Sequence, residues 1–379
     1  MSTNLIPVDR SRTVSDWVCK RRRYLNYELY GRGIVSTNEP LALVMGTIIH
    51  TALAEIALAT MAMGDVDIDI IAYKAQQDMF AHLSKDVNVE EGLTFAKEQA
   101  ALVEGLIRGF HRHVWPRMLN QYPKIIAVEQ EMPYTYGRLL FMAKPDLVAV
   151  DTNGEVVLPE YKSTSSKQDS WINSWATAVQ LHSTTRAIEA ALGEKISRVV
   201  VQGLFKGFLS YSKQNSPFCY AYRKNGQPPF SADQIAYEYK AGLKRFPTWE
   251  LDGGVKAWVE GMPEDLLANQ FPATPPIFVN DDLVESFFAQ RNTRETAIHT
   301  AMEQLEGETN EPTRTAILNA VFPQTFAECS PAWGTGCPYR RICFGEVTKP
   351  LEQGFVLRIS HHAPEAAAWA AEDSAKGIK

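Results

Sequence analysis

Residues 139–162 read LLFMAKPDLVAVDTNGEVVLPEYK, and the fold class turns on this stretch. Two runs of β-branched and alternating apolar residues, 139–150 and 156–162, flank Asp151-Thr152-Asn153-Gly154. Such runs around a turn cluster predict two antiparallel strands. Gly154 suits the left-handed position of a three-residue loop over Thr152, Asn153 and Gly154. That loop sets Asp151 opposite Glu155, and counting back sets Asp146 opposite Glu160. Opposed residues share a sheet face, and so do residues two apart, so Asp146, Glu160 and Lys162 project together. A one-residue slip would put the carboxylates on opposite faces.

Two carboxylates on one face attract a hard divalent cation such as Mg2+ or Mn2+. Such an ion lowers the pKa of a bound water and stabilises the charged transition state of phosphodiester hydrolysis. A nearby ammonium positions the water or neutralises developing charge. Taken alone, an Asp followed by Glu-x-Lys fits an ordinary charged surface hairpin as well.

Outward from the hairpin, residues 125–136 and 198–205 also read as strands, and 170–192 as a helix. Upstream, 14–30, 41–62 and 70–121 carry helical spacing, ending near Tyr122-Pro123. Downstream, 231–320 is mostly helical around a Pro-rich loop at 272–276. A small sheet with helices before, within and after it predicts an α/β layer structure with helical insertions.

The chain has 379 residues, enough to bury a large core, and a net charge of −6, which argues against broad electrostatic binding of duplex DNA but leaves room for a local basic groove. Residues 41–63 are apolar and long enough to cross a bilayer, yet hold His50 and Glu55, which are costly there; a buried helix without a membrane is expected. No secretion signal is evident at the start, so a cytoplasmic protein without a disulfide framework is expected. There is no Gly-Lys-Ser/Thr phosphate loop, so ATP-driven unwinding would have to come from another protein.

Gly46-Thr-Ile-Ile-His50 opens the apolar helix; Pro145-Asp146, Glu160-Tyr161-Lys162 and Gln180 follow in order. This ordered set resembles the RecB-like branch of the PD-(D/E)XK nuclease superfamily, with its G-x-x-x-H, strand Asp, D/E-x-K and Q-x-x-x-Y motifs. The resemblance implies a restriction-endonuclease-like core in a single domain, with a small mixed central sheet flanked by helices. It implies catalytic roles for Asp146, Glu160, Lys162 and Gln180, and a metal bound by His50, Asp146, Glu160 and the Tyr161 backbone carbonyl. The family's tyrosine is replaced here by Thr184, and its role does not carry over. His50 alone would read as a core histidine, and Trp171 and Trp175, one turn apart, as core packing or as a base-stacking pair.

Of the five cysteines, Cys19 is remote, whereas Cys329-x7-Cys337-x5-Cys343 crowd a C-terminal segment at 326–345. One N-terminal cysteine plus three C-terminal ones resembles the iron–sulfur subset of this branch, including CRISPR-adaptation exonucleases and AddB-type nuclease domains. That resemblance implies a structural [4Fe–4S] cluster tying the chain ends together, although spacing alone fits a structural Zn2+ equally. Cys329 stands furthest from the usual spacing, and Cys219 reads as a small apolar residue. Beside these cysteines stand Lys20, Arg21, Arg22 and Arg23 at one end and Arg340 and Arg341 at the other. Together they would form a positive patch for the phosphate backbone, or else a solvated helix face.

The resemblance covers 14–60, 125–205 and 329–345; the segment 206–325 is a mainly helical insertion, faintly similar to phage and mobile-element nucleases, and 360–379 is expected to be a flexible tail. The function implied is a metal-dependent, exonuclease-like DNA nuclease acting on single strands or duplex ends in recombination, repair or mobile-element replication. A non-catalytic DNA-binding member serving a helicase or recombinase is the alternative.

Overall fold

The computed structural model describes residues 5–369 except 63, 86–88, 165–167, 176–177, 207–217, 219, 225–242, 263, 327–328, 330–335, 361, 363–364 and 368. The chain opens with β1 (Ile6–Asp9), α1 (Arg10–Val18), α2 (Lys20–Tyr27) and β2 (Ile34–Ser36). Four helices follow: α3 (Leu41–Met61), α4 (Ile68–Ser84), α5 (Glu90–Gly109) and, after a π-helical turn at Phe110–Val114, α6 (Trp115–Gln121). Next come β3 (Lys124–Val128), β4 (Met132–Tyr136), β5 (Leu139–Ala143), β6 (Leu147–Val150) and β7 (Val156–Thr164). Then α7 (Gln168–Trp175) and α8 (Val179–Leu192) lead to β8 (Ile196–Phe205), β9 (Tyr220–Lys224) and β10 (Leu243–Pro247). The C-terminal part holds α9 (Gly254–Glu260), α10 (Glu264–Gln270), β11 (Ile277–Phe278), α11 (Asp281–Gly307), α12 (Glu311–Val321), α13 (Arg340–Cys343) and β12 (Phe355–Leu357). This is a mixed α/β architecture with small mixed sheets and many helices, the layer structure that the hairpin and its flanking helices predict.

The central sheet runs β11-β8-β7-β6-β3, with β7 and β8 parallel and the other pairs antiparallel. The parallel pair is joined through α7 and α8, as a parallel connection requires. Its strands bury Val157, Leu158, Val199 and Val201 completely, because helices cover the sheet. On one side Ile49, Leu53 and Ile56 of α3 join α4, α5 and the sheet in one core; on the other, Trp171, Leu181 and Ile188 of α7 and α8 do so with Phe287 and Phe288 of α11. Trp171 is therefore core, packed edge-on against Trp175 and Phe205. α3 is the one helix among the described residues long and apolar enough to cross a membrane; less than half of it, 44%, is buried.

The hairpin has the anticipated register. Ala149 pairs with Val157 and Val150 with Val156, and Asp151 N–H donates to Glu155 O at 2.9 Å. Gly154 is left-handed at φ 85°. The Asp151 carboxylate secures the loop by accepting from the N–H groups of Asn153 and Glu155. The same offset places Asp146 across from Glu160.

The runs at 125–136 and 139–150 are each broken in two. β3 and β6 pair in the central sheet as far as Val128 and Leu147, whereas β4 and β5 pair from Met132 and Ala143 in a second sheet ordered β1-β5-β4. Between them lies a seam of two facing segments, 129–131 and 144–146. Pro145 lacks the N–H a continuous ladder needs, so a break falls naturally there. Across the seam the Glu129 N–H donates to the carbonyls of Pro145 at 3.1 Å and Asp146 at 3.4 Å.

Chain ends meet on the far side. β12 pairs with β2, Tyr339 Oη donates to Ile34 O, and Arg21 Nε donates to Phe322 O. Of the tail expected to be flexible, His362, Glu365 and Trp369 are docked: His362 lies between Asp9 and Glu131, Glu365 pairs with Arg12, and Trp369 stacks on Arg32.

Candidate active site

α3 delivers His50 to the seam. Its Nδ1 lies 3.0 Å from Asp146 Oδ1. The other oxygen, Oδ2, accepts the Tyr161 backbone N–H at 2.7 Å and Lys162 Nζ at 3.2 Å. Lys162 Nζ also donates to Glu160 Oε2 at 2.9 Å. Asp146, Glu160 and Lys162 thus meet as the hairpin register demands, with the Lys162 ammonium between the two carboxylates.

Electrostatics divide the three. Burial alone would raise the Asp146 carboxyl, but Lys162, His50 and the Tyr161 N–H outweigh it and hold Asp146 far below the usual carboxylate range. Glu160 goes the other way: burial raises it, Asp146 adds to the rise, and Lys162 offsets only part. Lys162 is raised, because the two carboxylates outweigh the cost of burying its charge. Asp146 is therefore the fixed anion of the centre.

The two Asp146 oxygens have different neighbours: Oδ1 meets His50, and Oδ2 meets the Tyr161 N–H and Lys162, which also holds Glu160. Ligand atoms of His50, Asp146 and Glu129 all lie within 4.8 Å of one another. One imidazole nitrogen and two carboxylate oxygens at that spacing suit Mg2+ or Mn2+. Glu129 joins His50 and Asp146 in this trio, a placement that spacing in the sequence did not single out, since Glu131 lies two residues away with the same charge. Glu129 is left-handed, at φ 48°. A non-glycine residue there stores about 1–3 kcal/mol, held in this case by the bonds to Pro145 and Asp146.

The trio opens into a cleft of about 680 Å³ lined along α3 by Leu43, Gly46, Thr47, Thr51 and Ala54, and across from it by Lys144 and Ser163. A Cβ on Gly46 would meet Ser163 Oγ at an ordinary 3.6 Å. Packing does not demand the glycine; it keeps that wall low beside the metal trio. Beneath, Tyr161 is buried between His50 and Phe110, and its hydroxyl has no hydrogen-bond partner among the described residues.

The remaining expected residues separate. Gln180 stands in the first turn of α8, its side chain outside the described residues. Arg23 is not at a DNA-binding surface: it is 2% exposed and paired with Glu28 and Glu295. Arg21 is spent on Phe322 O and Asn319. Arg340 and Arg341 are exposed, near Phe344 and Glu346. Lys20 and Arg22 are half-buried. Arg10, not anticipated from sequence, lies within electrostatic reach of Glu160 and Lys162.

Cys19 is buried at the junction of α1 and α2, and Cys337 and Cys343 are half-buried against the core of Tyr24, Phe322 and Tyr339. Burial pushes both C-terminal thiols up, Cys343 to about 11, and each lies within electrostatic reach of Cys19 and Cys329. Cys219 lies outside the described residues.

A carboxylate-rich centre beside the seam between the two sheets, with one lysine against two acids, is an arrangement suited to metal-assisted hydrolysis. The model of the PD-(D/E)XK nuclease superfamily matches residues 18–344, and the chain belongs to that superfamily, whose nucleases typically use Mg2+ or Mn2+. Among curated proteins, none matches the chain.

Proposed function

We propose that the protein is a metal-dependent deoxyribonuclease of the RecB-like branch, acting on DNA ends or single strands. The carrying observation is that Asp146 meets His50 through Oδ1 and Lys162 through Oδ2, with Glu160 held by the same lysine and a Glu129 carboxylate oxygen within 4.8 Å of ligand atoms of His50 and Asp146. His50, Asp146 and Glu129 would hold a divalent cation, which would supply an activated water and charge stabilisation at the phosphoryl oxygens. Asp146 stays ionised to hold it, and the Tyr161 N–H fixes the carboxylate's orientation. Lys162, charged and held by Glu160, neutralises charge developing on the phosphate. The test is incubation of end-labelled linear and circular, single- and double-stranded DNA with Mg2+, Mn2+ or EDTA. Cleavage requires the cation and is lost in Asp146→Ala and Lys162→Ala. A folded Asp146→Ala protein that cleaves like wild type sinks the assignment.

A structural [4Fe–4S] cluster on Cys19, Cys329, Cys337 and Cys343 belongs to the same proposal. Its support is that these thiols lie within electrostatic reach of one another, at the point where the chain ends meet. Among the described residues no three of the sulfurs fall within 4.8 Å. A structural Zn2+ on the same thiolates is the alternative, and metal content decides between them. Anaerobically purified protein carries about four iron and four sulfide per chain, lost in Cys19→Ser and in Cys343→Ser. One zinc and no visible absorbance would establish the zinc alternative. A helicase or recombinase would supply the unwinding this chain has no motif for.

A further inference from the structure

We infer that Lys144 is a phosphate-binding residue held in reserve by Glu129, released to the nucleic acid when a divalent cation takes the Glu129 carboxylate. The inference rests on the nuclease reading of the same cleft and extends it to a residue that reading does not use.

Lys144 and Glu129 face each other across the seam, joined by an ion pair of 3.0 Å between Nζ and Oε2. Both line the cleft, with 46% and 26% of their side chains exposed. Among the described residues the Glu129 carboxylate is held by Lys144, whereas Asp146 is already fixed by Tyr161 and Lys162. The two claims on Glu129 compete. A cation shared with His50 and Asp146 would draw the Glu129 carboxylate toward Asp146, and the part-exposed ion pair with Lys144 is a weak competitor. The cation therefore wins, and the freed ammonium sits on a flexible stem at the cleft wall.

Placement favours phosphate as the new partner. Lys162 is committed to Asp146 and Glu160 and is mostly buried. Arg23 and Arg21 are spent elsewhere. The α3 wall of the cleft is apolar, apart from His50, Glu55 and threonine hydroxyls, and Glu55 is paired with Lys74. Lys144 is the exposed cation that the described lining offers to a phosphodiester next to the one being cleaved. Pro145 restrains the residue before it to extended backbone, which fixes the root of the Lys144 side chain beside Asp146. The seam thus ties metal loading to nucleic-acid binding with two side chains.

The experiment measures binding of a fluorescein-labelled oligonucleotide by full-length protein, in EDTA and in Ca2+, across a salt series, with the oligonucleotide checked for integrity. In Ca2+, Lys144→Met weakens binding about tenfold and reduces the salt slope by about 0.7–0.9, the share of one phosphate contact. Lys144→Arg retains most of both. In EDTA, Glu129→Gln binds about tenfold more tightly than wild type, because Lys144 is released without metal. That gain shrinks to about threefold in the K144M background, the remainder being loss of one negative charge. Purely additive effects of the two substitutions, or an unchanged salt slope in Lys144→Met, overturn the inference while leaving metal-dependent cleavage intact. A wild-type protein that neither binds nor cleaves brings down the nuclease reading, and this inference with it.

Discussion

The ionic cluster joining α1 and α2 to α11 has as many guanidinium groups as carboxylates; the cleft has more carboxylates than ammonium groups. In the cluster, Arg23, Arg291 and Arg294 bind Asp16, Glu28 and Glu295, and Arg291, Asp16 and Glu295 are at most 4% exposed. In the cleft, Glu129, Asp146 and Glu160 share Lys144 and Lys162 beside the imidazole of His50. Arginine presents a planar fork that locks onto carboxylates, whereas lysine is a point charge on a flexible stem. A balanced, dry set has nothing left to bind. An unbalanced set open to solvent retains negative charge for a cation and a movable ammonium for a phosphate.

This contrast is broken most sharply by substitution in each region. Asp146→Ala is expected to lower nuclease turnover by about three orders of magnitude or more, since it removes the carboxylate that both His50 and Lys162 meet. Its cost in stability is expected to stay under about 2 kcal/mol, because Lys162 retains Glu160, the part-exposed His50 can turn to water, and the Tyr161 N–H alone is left buried without its acceptor. Arg291→Met is expected to do the reverse, destabilising by about 3–5 kcal/mol, because Arg294 and Arg23 are left to balance the three carboxylates of Asp16, Glu28 and Glu295 in a buried cluster. The Mn2+ affinity of the Arg291→Met protein should match wild type. Urea unfolding and metal titration of both variants decide the matter. If Asp146→Ala is the less stable of the two, or Arg291→Met loses its metal, the division into a clasp and a site is wrong.

His50→Ala sharpens the comparison on a smaller scale. It is expected to weaken Mn2+ binding about 10–100-fold, since one of three ligands goes, with little change in unfolding midpoint because the His50 side chain is 25% exposed. Unfolding without a change in metal affinity would return His50 to the role of a core histidine.

How much of this was legible in the sequence follows from what each feature depends on. The Asp146–Glu160 register is local: a three-residue loop with Gly154 fixes it, and the strands have only to continue. Gly46-x-x-x-His50 was legible because residues four apart share a helix face. The seam was not legible, because strand-like alternation runs on through 129–131 and 144–146 and says nothing about which sheet each half joins. Glu129 owes its place to that break, so its role was hidden as well. The Lys20–Arg23 run was misread as a DNA surface at Arg23 because its partner, Glu295, lies 272 residues away. Nothing local distinguishes an arginine that meets such a partner from one that meets water.

The smallest effect comes from a third ionic group, intermediate between clasp and site. His362 in the C-terminal segment sits with Nδ1 3.1 Å from Glu131 and Nε2 3.4 Å from Asp9. Arg12 lies beside Asp9 and pairs with Glu365, and Ser360 Oγ donates to Glu365. Two carboxylates facing one imidazole raise its pKa above the usual 6.5, the Asp9 hydrogen bond doing most and burial opposing it. A folded-state pKa above the unfolded value stabilises docking of the segment fully below about pH 6.5, and the contribution fades as pH rises through the raised value. Asp9 is shifted in the opposite sense: burial would raise it, but His362 and Arg12 hold it low. Its contribution is present above about pH 3.8 and lost only on acidification, so it does not interfere in the neutral range. The expected size is under about 1 kcal/mol, since the pair lies near the surface. Limited proteolysis between pH 6 and 8.5, corrected for the protease's own pH profile, should therefore cut the C-terminal segment faster at the alkaline end. In His362→Gln the corrected rate should be high and flat throughout. Because Glu131 belongs to the same seam as Glu129, cleavage and Mn2+ binding should also be followed across that range. A segment equally protected at both ends in wild type would show that His362 is held by packing alone.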